Sequence, residues 1–471
     1  MISLERRIAL LLGIILFVSY AYFFQGGGWN PNSRLDLTRA LAEQHTLAID
    51  DYVGNTGDWA YFNGHYYANK APGLSLLAVP VWIATGILLP STTTLDARAW
   101  WTNIFVNALP ASLLGVCLFV TLGWLGVSSI HARVGATLAY GLGTLAFPYA
   151  TAFYAHQPAA VFGFASFAAL VRAKQTDDKY AWALGAGALA GMSVLMEMSC
   201  LIIPVVLGLW LAIGRDARRL GFFILGGIPL AAVLMLYGWM AFHDPLARWT
   251  RWANPNVEVR VNGNLFGWPS PTRIYGLLLS GYRGLLFTSP VLILAAVGWP
   301  ALRRARPAAA FVCAGIVLAF VLLIASFYAW HGGWAPGARY LVPCLPFAAV
   351  QMAFAFERLR LIATTLAAFS VLFMTAITVV AIEIPMKVSV PLRHFVAHYL
   401  REGRVSVNPE GINEFLPDAG YLTMHPPQNN HSSNLGEFLF PGRVESVVPL
   451  LLFWALLGFM LLRAFSLRSK T

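Results

Sequence analysis

Twelve stretches of this chain are apolar over lengths near those needed to cross a bilayer as a helix, and short clusters of Lys and Arg lie between them. The runs are Ile8–Phe24, Trp101–Gly126, Val134–Tyr149, Ala159–Val171, Tyr180–Met196 and Cys200–Ile213. They continue with Leu220–Phe242, Leu285–Val297, Ala308–Phe327, Leu341–Phe356, Leu361–Ile382 and Val447–Leu462. In a medium without water a backbone must satisfy its own polar groups, and a helix does so within one segment. The pattern therefore predicts an all-α polytopic membrane protein. Composition agrees: 58% of the 471 residues are hydrophobic and 11% are charged.

The formal net charge is +11. Nucleic-acid binding requires basic residues gathered on one face with aromatics among them. Here they sit in short groups at the ends of apolar runs, which is the signature of cytoplasmic loops. The chain is read as having no nucleic-acid partner; its solvent partner is the lipid bilayer. The four cysteines, Cys117, Cys200, Cys313 and Cys344, lie in or beside apolar runs without a CxxC pair, so neither a disulfide framework nor a zinc site is expected. Arg6-Arg7 followed by Ile8–Phe24, with no A-x-A site after it, reads as an uncleaved anchor whose N-terminus is cytoplasmic.

A thirteenth apolar run, Ala71 to Leu89, decides the topology. If it crossed, Arg172/Lys174/Lys179, Arg215/Arg218/Arg219, Arg303/Arg304/Arg306 and Arg358/Arg360 would all lie outside, inverting the charge rule at four successive loops. If it does not cross, they fall in the cytoplasm with Arg6/Arg7 and Arg463/Arg468/Lys470. Pro72, Gly73, Pro80 and Pro90 suit an in-plane or re-entrant segment. The expectation is about twelve transmembrane helices with both termini inside. External segments are then Gln25–Ala99, Ala150–Pro158, His243–Gly284 and Glu383–Glu445, with a brief turn at Tyr328–Arg339.

The first of these segments is unusually polar for such a chain. It holds Asp36, Arg39, Glu43, Asp58, Asn63, Tyr66, Tyr67 and Lys70. Ser33-x-x-Asp36 matches a capping box at the start of an amphipathic helix. A second amphipathic candidate spans Pro391 to Arg401, with Leu392, Phe395, Val396, Tyr399 and Leu400 on one face and Arg393, His394, His398 and Arg401 opposite. Gly187-x-x-x-Gly191 marks a close helix-packing face. His425 to Asn434 is polar and loop-like, and no internal repeat stands out.

The string Asp36-Leu-Thr-Arg39-Ala-Leu-Ala-Glu43, then Gly57-Asp58-Trp59, Asn63-Gly64, Tyr66-Tyr67 and Lys70-Ala71-Pro72, resembles the first external loop of the GT-C type, polyprenyl-phosphate-sugar-dependent membrane glycosyltransferases. The relatives in view are the bacterial lipid A aminoarabinose transferases and the protein O-mannosyltransferases. Their loop reads roughly D-E-x-R-Y-A-E, G-D-W, N-G, Y-F and K-P-P. Gly191-Met-Ser-Val-Leu-Met-Glu197 resembles a family helix end that often carries Lys at the last position. Trp330 to Pro343 is similar to a string in other bacterial members. Departures are Leu37 for an acidic residue, Ala71 inside K-P-P, a longer gap from Asp36 to Lys70, and His156-Gln157 where relatives often have Asp. These speak against the same sugar chemistry.

The resemblance implies a GT-C fold with amphipathic external-loop helices, in the bacterial cytoplasmic (inner) membrane. It divides the chain into a catalytic transmembrane module over 1–242 that includes the loop 25–99, an external loop 243–284, further membrane helices 285–382, an external C-terminal loop 383–445, and a last helix and tail 446–471. It implies an inverting transfer from a polyprenyl-phosphate-linked sugar donor to a glycan, lipid or protein acceptor on the external face. Asp36 is the implied catalytic base; the alternative is a helix-capping carboxylate. Lys70 is the implied donor-phosphate ligand, against snorkelling at an apolar edge. Arg283 and Arg339 are further phosphate candidates, or interfacial anchors. Arg39, Tyr66, Tyr67, His156 and Glu197 are sugar or acceptor candidates; the tyrosines also suit an aromatic belt, and His156 and Glu197 a structural polar contact. No cofactor is certain. A divalent metal is optional, since some relatives use one, but no D-x-D clamp occurs here. Two other readings stay open: a secondary transporter or lipid flippase, and a glycan polymerase or ligase using a lipid-diphosphate oligosaccharide through the Arg- and His-bearing last loop.

Overall fold

The computed structural model describes residues 4–246, 249–255, 265–408 and 431–466. His425, Arg468 and Lys470 lie outside the described residues, as do parts of the third and last external segments. The protein is predominantly helical, and every one of the twelve apolar runs is helical over most of its length. The principal helices are α1 Leu4–Ala21, α2 Trp29–Arg39, α3 Gly73–Leu88, α4 Leu95–Trp124, α5 Ile130–Gly143, α6 His156–Ala173 and α7 Lys179–Met196. The chain continues with α8 Ile202–Ile213, α9 Ala217–Phe242, α10 Ile293–Ala305, α11 Pro307–Ser326, α12 Leu345–Arg358, α13 Arg360–Val380 and α14 Val448–Ser466.

Among the described residues six helical segments are by themselves long and apolar enough to cross a membrane: α4, α9, Arg339–Arg358, α11, α13 and Val444–Phe465. Six such segments, not the expected twelve, qualify on length and apolarity alone. The run Leu285–Val297 is broken at Ser289-Pro290, where Leu285–Thr288, a 3-10 turn and α10 meet. Pro290 has no N–H to continue a helix. The Ala71–Leu89 run forms α3, 16 residues with Pro80 inside it, shorter than the ~20 that a crossing needs.

Packing proceeds from helix to helix: α1 on α4, α4 on α6, α6 on α7 and α7 on α9, with α5 joining α12 and α13. The α7–α9 seam is close because it lacks side chains. A Cβ on Gly187 would collide with the Phe223 carbonyl, and one on Gly226 with the Leu184 carbonyl. The Pro391–Arg401 segment folds as a π turn and a short helix; it buries Phe395, Val396 and Tyr399 and exposes Arg393, His394 and Arg401, as its pattern requires.

Charges segregate along the bundle. Arg133 pairs with Glu5 at 2.7 Å, Arg172 lies over Trp124, Gln175 donates to the Trp124 carbonyl, and Glu357 accepts from Ser128 and Ser129. Lys174 lies over Trp210 and within the field of Arg219, and Arg306 comes within 3.9 Å of a Cβ built on Gly126, so the 172–179, 215–219, 303–306 and 357–360 clusters share one end with the start of α1. At the other end the chain closes on itself: Phe23–Phe24 pairs antiparallel with Ser433–Asn434, and a hairpin of Trp59–Phe62 and His65–Ala68 forms with Tyr61 opposite Tyr66.

Candidate active site

Helix α2 carries polar residues yet is buried almost throughout, from Asn30 to Thr38. A buried polar helix is stable only if neighbours satisfy its side chains. The loop 53–58 does this. Asn32 donates to the Asn55 carbonyl at 2.8 Å, Ser33 Oγ to the Asp58 carbonyl at 2.6 Å, and Thr56 Oγ1 to the Trp29 carbonyl at 2.7 Å. Gly57 permits this approach, because a Cβ there would enter the Trp29 ring. These contacts overturn the capping-box reading. The helix begins at Trp29, so Ser33 and Asp36 both lie inside it and neither caps an end.

Asp36 is 1% exposed. Its Oδ1 accepts from Asn55 Nδ2 at 3.2 Å, and its Oδ2 has no partner among the described residues. Burial raises its pKa well above the usual carboxylate value, with Asn55 and the nearby Arg39 opposing the rise. A carboxylate with one free oxygen and a raised pKa is suited to take a proton from a hydroxyl. Arg39 is held away from direct contact: it lies 3.6 Å from Glu43 and over the Tyr52 ring at 4.1 Å.

Three ionic groups surround the C-terminal end of α7. Arg34, 1% exposed, donates to Glu197 at 2.6 Å and to the Ala71 carbonyl at 2.9 Å, and His156 Nδ1 lies 3.5 Å from the same Glu197 oxygen. Lys70 pairs with Asp58 at 3.0 Å. Arg339 donates to the Tyr154 hydroxyl at 2.9 Å, and that hydroxyl donates to Glu383. Burial lowers the His156 pKa well below the ordinary value, and Arg339, Arg34 and Lys70 add to the effect, so the imidazole stays neutral. The turn bearing Tyr154 and His156 is fixed by Asn107, in a π segment of α4, which donates to the carbonyls of Tyr149 and Ala152.

Of the residues singled out in the sequence, Lys70, His156, Glu197 and Arg339 belong to this region; Asp36 stands on the same helix as Arg34, with its carboxyl facing Asn55 and within the field of Arg39. Arg283 is placed differently. It is fully buried, and its Nη2 reaches the carbonyls of Gly333, Ile384 and Pro385 at 3.4–3.5 Å. It fastens backbone beside the site. Tyr66 and Tyr67 lie in the hairpin: Tyr66 packs on Trp59 and Tyr61, and Tyr67 on Phe242, which stacks on Trp252. The structure does not bring the two rings to the ionic cluster.

Sequence reasoning missed Arg34, Tyr154 and Glu383. Glu383 is 6% exposed, and burial raises its pKa to about 7 against the lowering effects of Arg339 and Tyr154, while Asp58 adds to the rise. Its carboxyl lies against the first turn of α2, where a Cβ on Gly28 would meet it at 2.7 Å. Gly28 has φ +85°, which also favours glycine. The signal was present: a single acid follows directly on the apolar run Leu361–Ile382. Among the described residues no group of three or more His, Cys, Asp and Glu side chains is close enough to hold a metal ion.

No family model matches the chain, and no curated protein does. Solved structures do. The apo oligosaccharyltransferase of Archaeoglobus fulgidus superposes with a TM-score of 0.52 at 13% identity, over 90% of this chain and 60% of that one. ArnT from Cupriavidus metallidurans in the apo state gives 0.48 at 16% identity, over 75% of this chain and 59% of that one. The chain thus spans about three-fifths of the length of these neighbours. At 13% identity the likeness to the oligosaccharyltransferase is one of fold alone.

Proposed function

We propose that the chain is an inverting glycosyltransferase that takes a sugar from a polyprenyl-phosphate donor and passes it to a glycan, lipid or protein acceptor on the external face of a bacterial cytoplasmic membrane. The observation that carries this reading is Asp36: a buried carboxylate with one unpartnered oxygen, on a polar helix sunk beside a cluster of buried cations. The segregation of the basic loops to the opposite end of the bundle supports an external site and about twelve crossings, with α3 lying in the membrane plane.

In this reading Asp36 Oδ2 accepts the proton of an acceptor hydroxyl as its oxygen attacks the anomeric carbon. The bond from that carbon to the donor phosphate oxygen breaks, and its electron pair stays on the phosphate. The leaving phosphate gains charge, which preplaced cations stabilise. Arg339 and Lys70 supply them, with Lys70 exchanging Asp58 for the phosphate. Inversion follows because attack and departure occur on opposite faces. Neutral His156 lines the site without adding positive charge. Asp36→Asn keeps the shape and the Asn55 contact but cannot take the proton. Transfer to an extracted envelope acceptor, followed with a radiolabelled lipid-linked sugar, should fall by about 10²–10⁴. Wild-type transfer by this variant would sink the assignment.

A further inference from the structure

Arg339 and Glu383 share a contact that the transfer reaction does not use. Both are buried, yet no direct ion pair joins them. The Tyr154 hydroxyl stands between, accepting from Arg339 Nη1 at 2.9 Å and donating to Glu383 Oε1. The guanidinium also lies over the Tyr154 ring, 5.1 Å from its centroid, and its Nε has no partner among the described residues. A hydroxyl relay neutralises a cation less firmly than a direct carboxylate contact and leaves part of it available. Glu383 itself has little freedom. Arg283 holds the carbonyls of Ile384 and Pro385, Ala335 N–H donates to the Ile384 carbonyl at 3.1 Å, and the carboxyl backs onto Gly28.

We propose that Glu383, acting through Tyr154, is a counter-charge that occupies Arg339 until a lipid-linked phosphate takes its place, and that phosphate binding then puts a proton from water on Glu383. The inference rests on the donor reading above. The charged and titratable groups facing Glu383 are Arg339, Tyr154 and Asp58, with Tyr149 also within its field and Lys70 paired to Asp58. Asp58 is one negative neighbour already. A phosphate at Arg339 adds another and draws away the cation that favours the ionised carboxylate. Burial has set Glu383 near pH 7, so this push suffices to protonate it at neutral pH. Proton uptake and phosphate binding are then linked, and each strengthens the other equally. Glu383 is a positioning residue here, since it acts through Arg339.

The probe is a polyprenyl phosphate methyl ester, a phosphodiester whose single charge does not titrate near neutrality, bound to the purified protein in nanodiscs between pH 6 and 9. For the wild type, Kd should be flat below pH 7 and rise about tenfold per pH unit above it. Glu383→Gln should bind with a Kd that does not change over this range. Tyr154→Phe removes a hydrogen bond that favours the ionised carboxylate, so it should move the break in the profile to higher pH. A flat wild-type profile, the same slope in Glu383→Gln, or an unshifted break in Tyr154→Phe overturns the proposal while leaving the donor reading standing. Absence of probe binding at every pH overturns the donor reading, and the proposal with it.

Discussion

Arg34 donates to Glu197 at 2.6 Å, tying the buried polar helix α2 to the residue that follows the last turn of α7. The pair is 163 positions apart in sequence, and the guanidinium is almost wholly shielded from water. Removing one member of such a pair leaves an uncompensated buried charge. Glu197→Ala should lose about 3 kcal/mol of stability. The double variant Arg34→Met with Glu197→Leu should recover most of it. Thermal unfolding in detergent of Arg34→Met, Glu197→Leu and the double variant, arranged as a double-mutant cycle, measures this; a double loss equal to the sum of the two single losses would show the pair to be uncoupled.

Asp36 carries an expected conflict between activity and stability. Its folded pKa lies well above its unfolded value, so the folded state holds its proton more tightly. Stability from that proton is present in full below the unfolded pKa of about 4 and declines as pH rises toward the folded one. Asp36→Asn removes the decline. This variant should melt at a higher temperature than the wild type at pH 8, and the difference should shrink toward pH 4. A lower melting temperature at pH 8 would contradict the burial of an ionisable group here.

Lys70→Met tests the phosphate contact apart from the proton transfer. A side chain that holds the donor phosphate and also stabilises the charge it gains on leaving lowers kcat as well as raising donor KM. We expect kcat/KM for the donor to fall by at least about a hundredfold, shared between the two constants, with little change in fold stability because the Lys70–Asp58 pair is partly exposed. Unchanged kcat and KM would assign Lys70 to Asp58 alone.

Gly187→Ala probes the bundle far from the chemistry. The added methyl meets the Phe223 carbonyl and must part α7 from α9. A loss of about 1–3 kcal/mol is expected, with activity per folded molecule unchanged. Unaltered stability would mean that the seam is loose.

The helices were readable because each apolar run has to satisfy its backbone within itself, and Leu220–Phe242 and Ala308–Phe327 became α9 and α11 with ends shifted by a few residues. The site was only half readable. Asp36, Lys70 and Glu197 stand in a short string that resembles a known loop. Arg34 stood in the same segment unremarked, because its partner lies on α7. Tyr154 and Glu383 depend on two separate chain returns, and no local pattern encodes which returns meet. The capping box failed for a related reason: Ser33 and Asp36 have the right spacing, but tertiary contacts from residues 55–58 claimed both side chains and let the helix start earlier.

The antiparallel pairing of Phe23–Phe24 with Ser433–Asn434 has a consequence in time. A ribosome delivers the segment around Asp36 long before Glu383 and Asn434 exist. Until then the strand at Phe23 has no partner, and Gly28 faces no carboxyl. The contacts that close around α2 from Glu383 and from Ser433–Asn434 can therefore form only once the last third of the chain has been made.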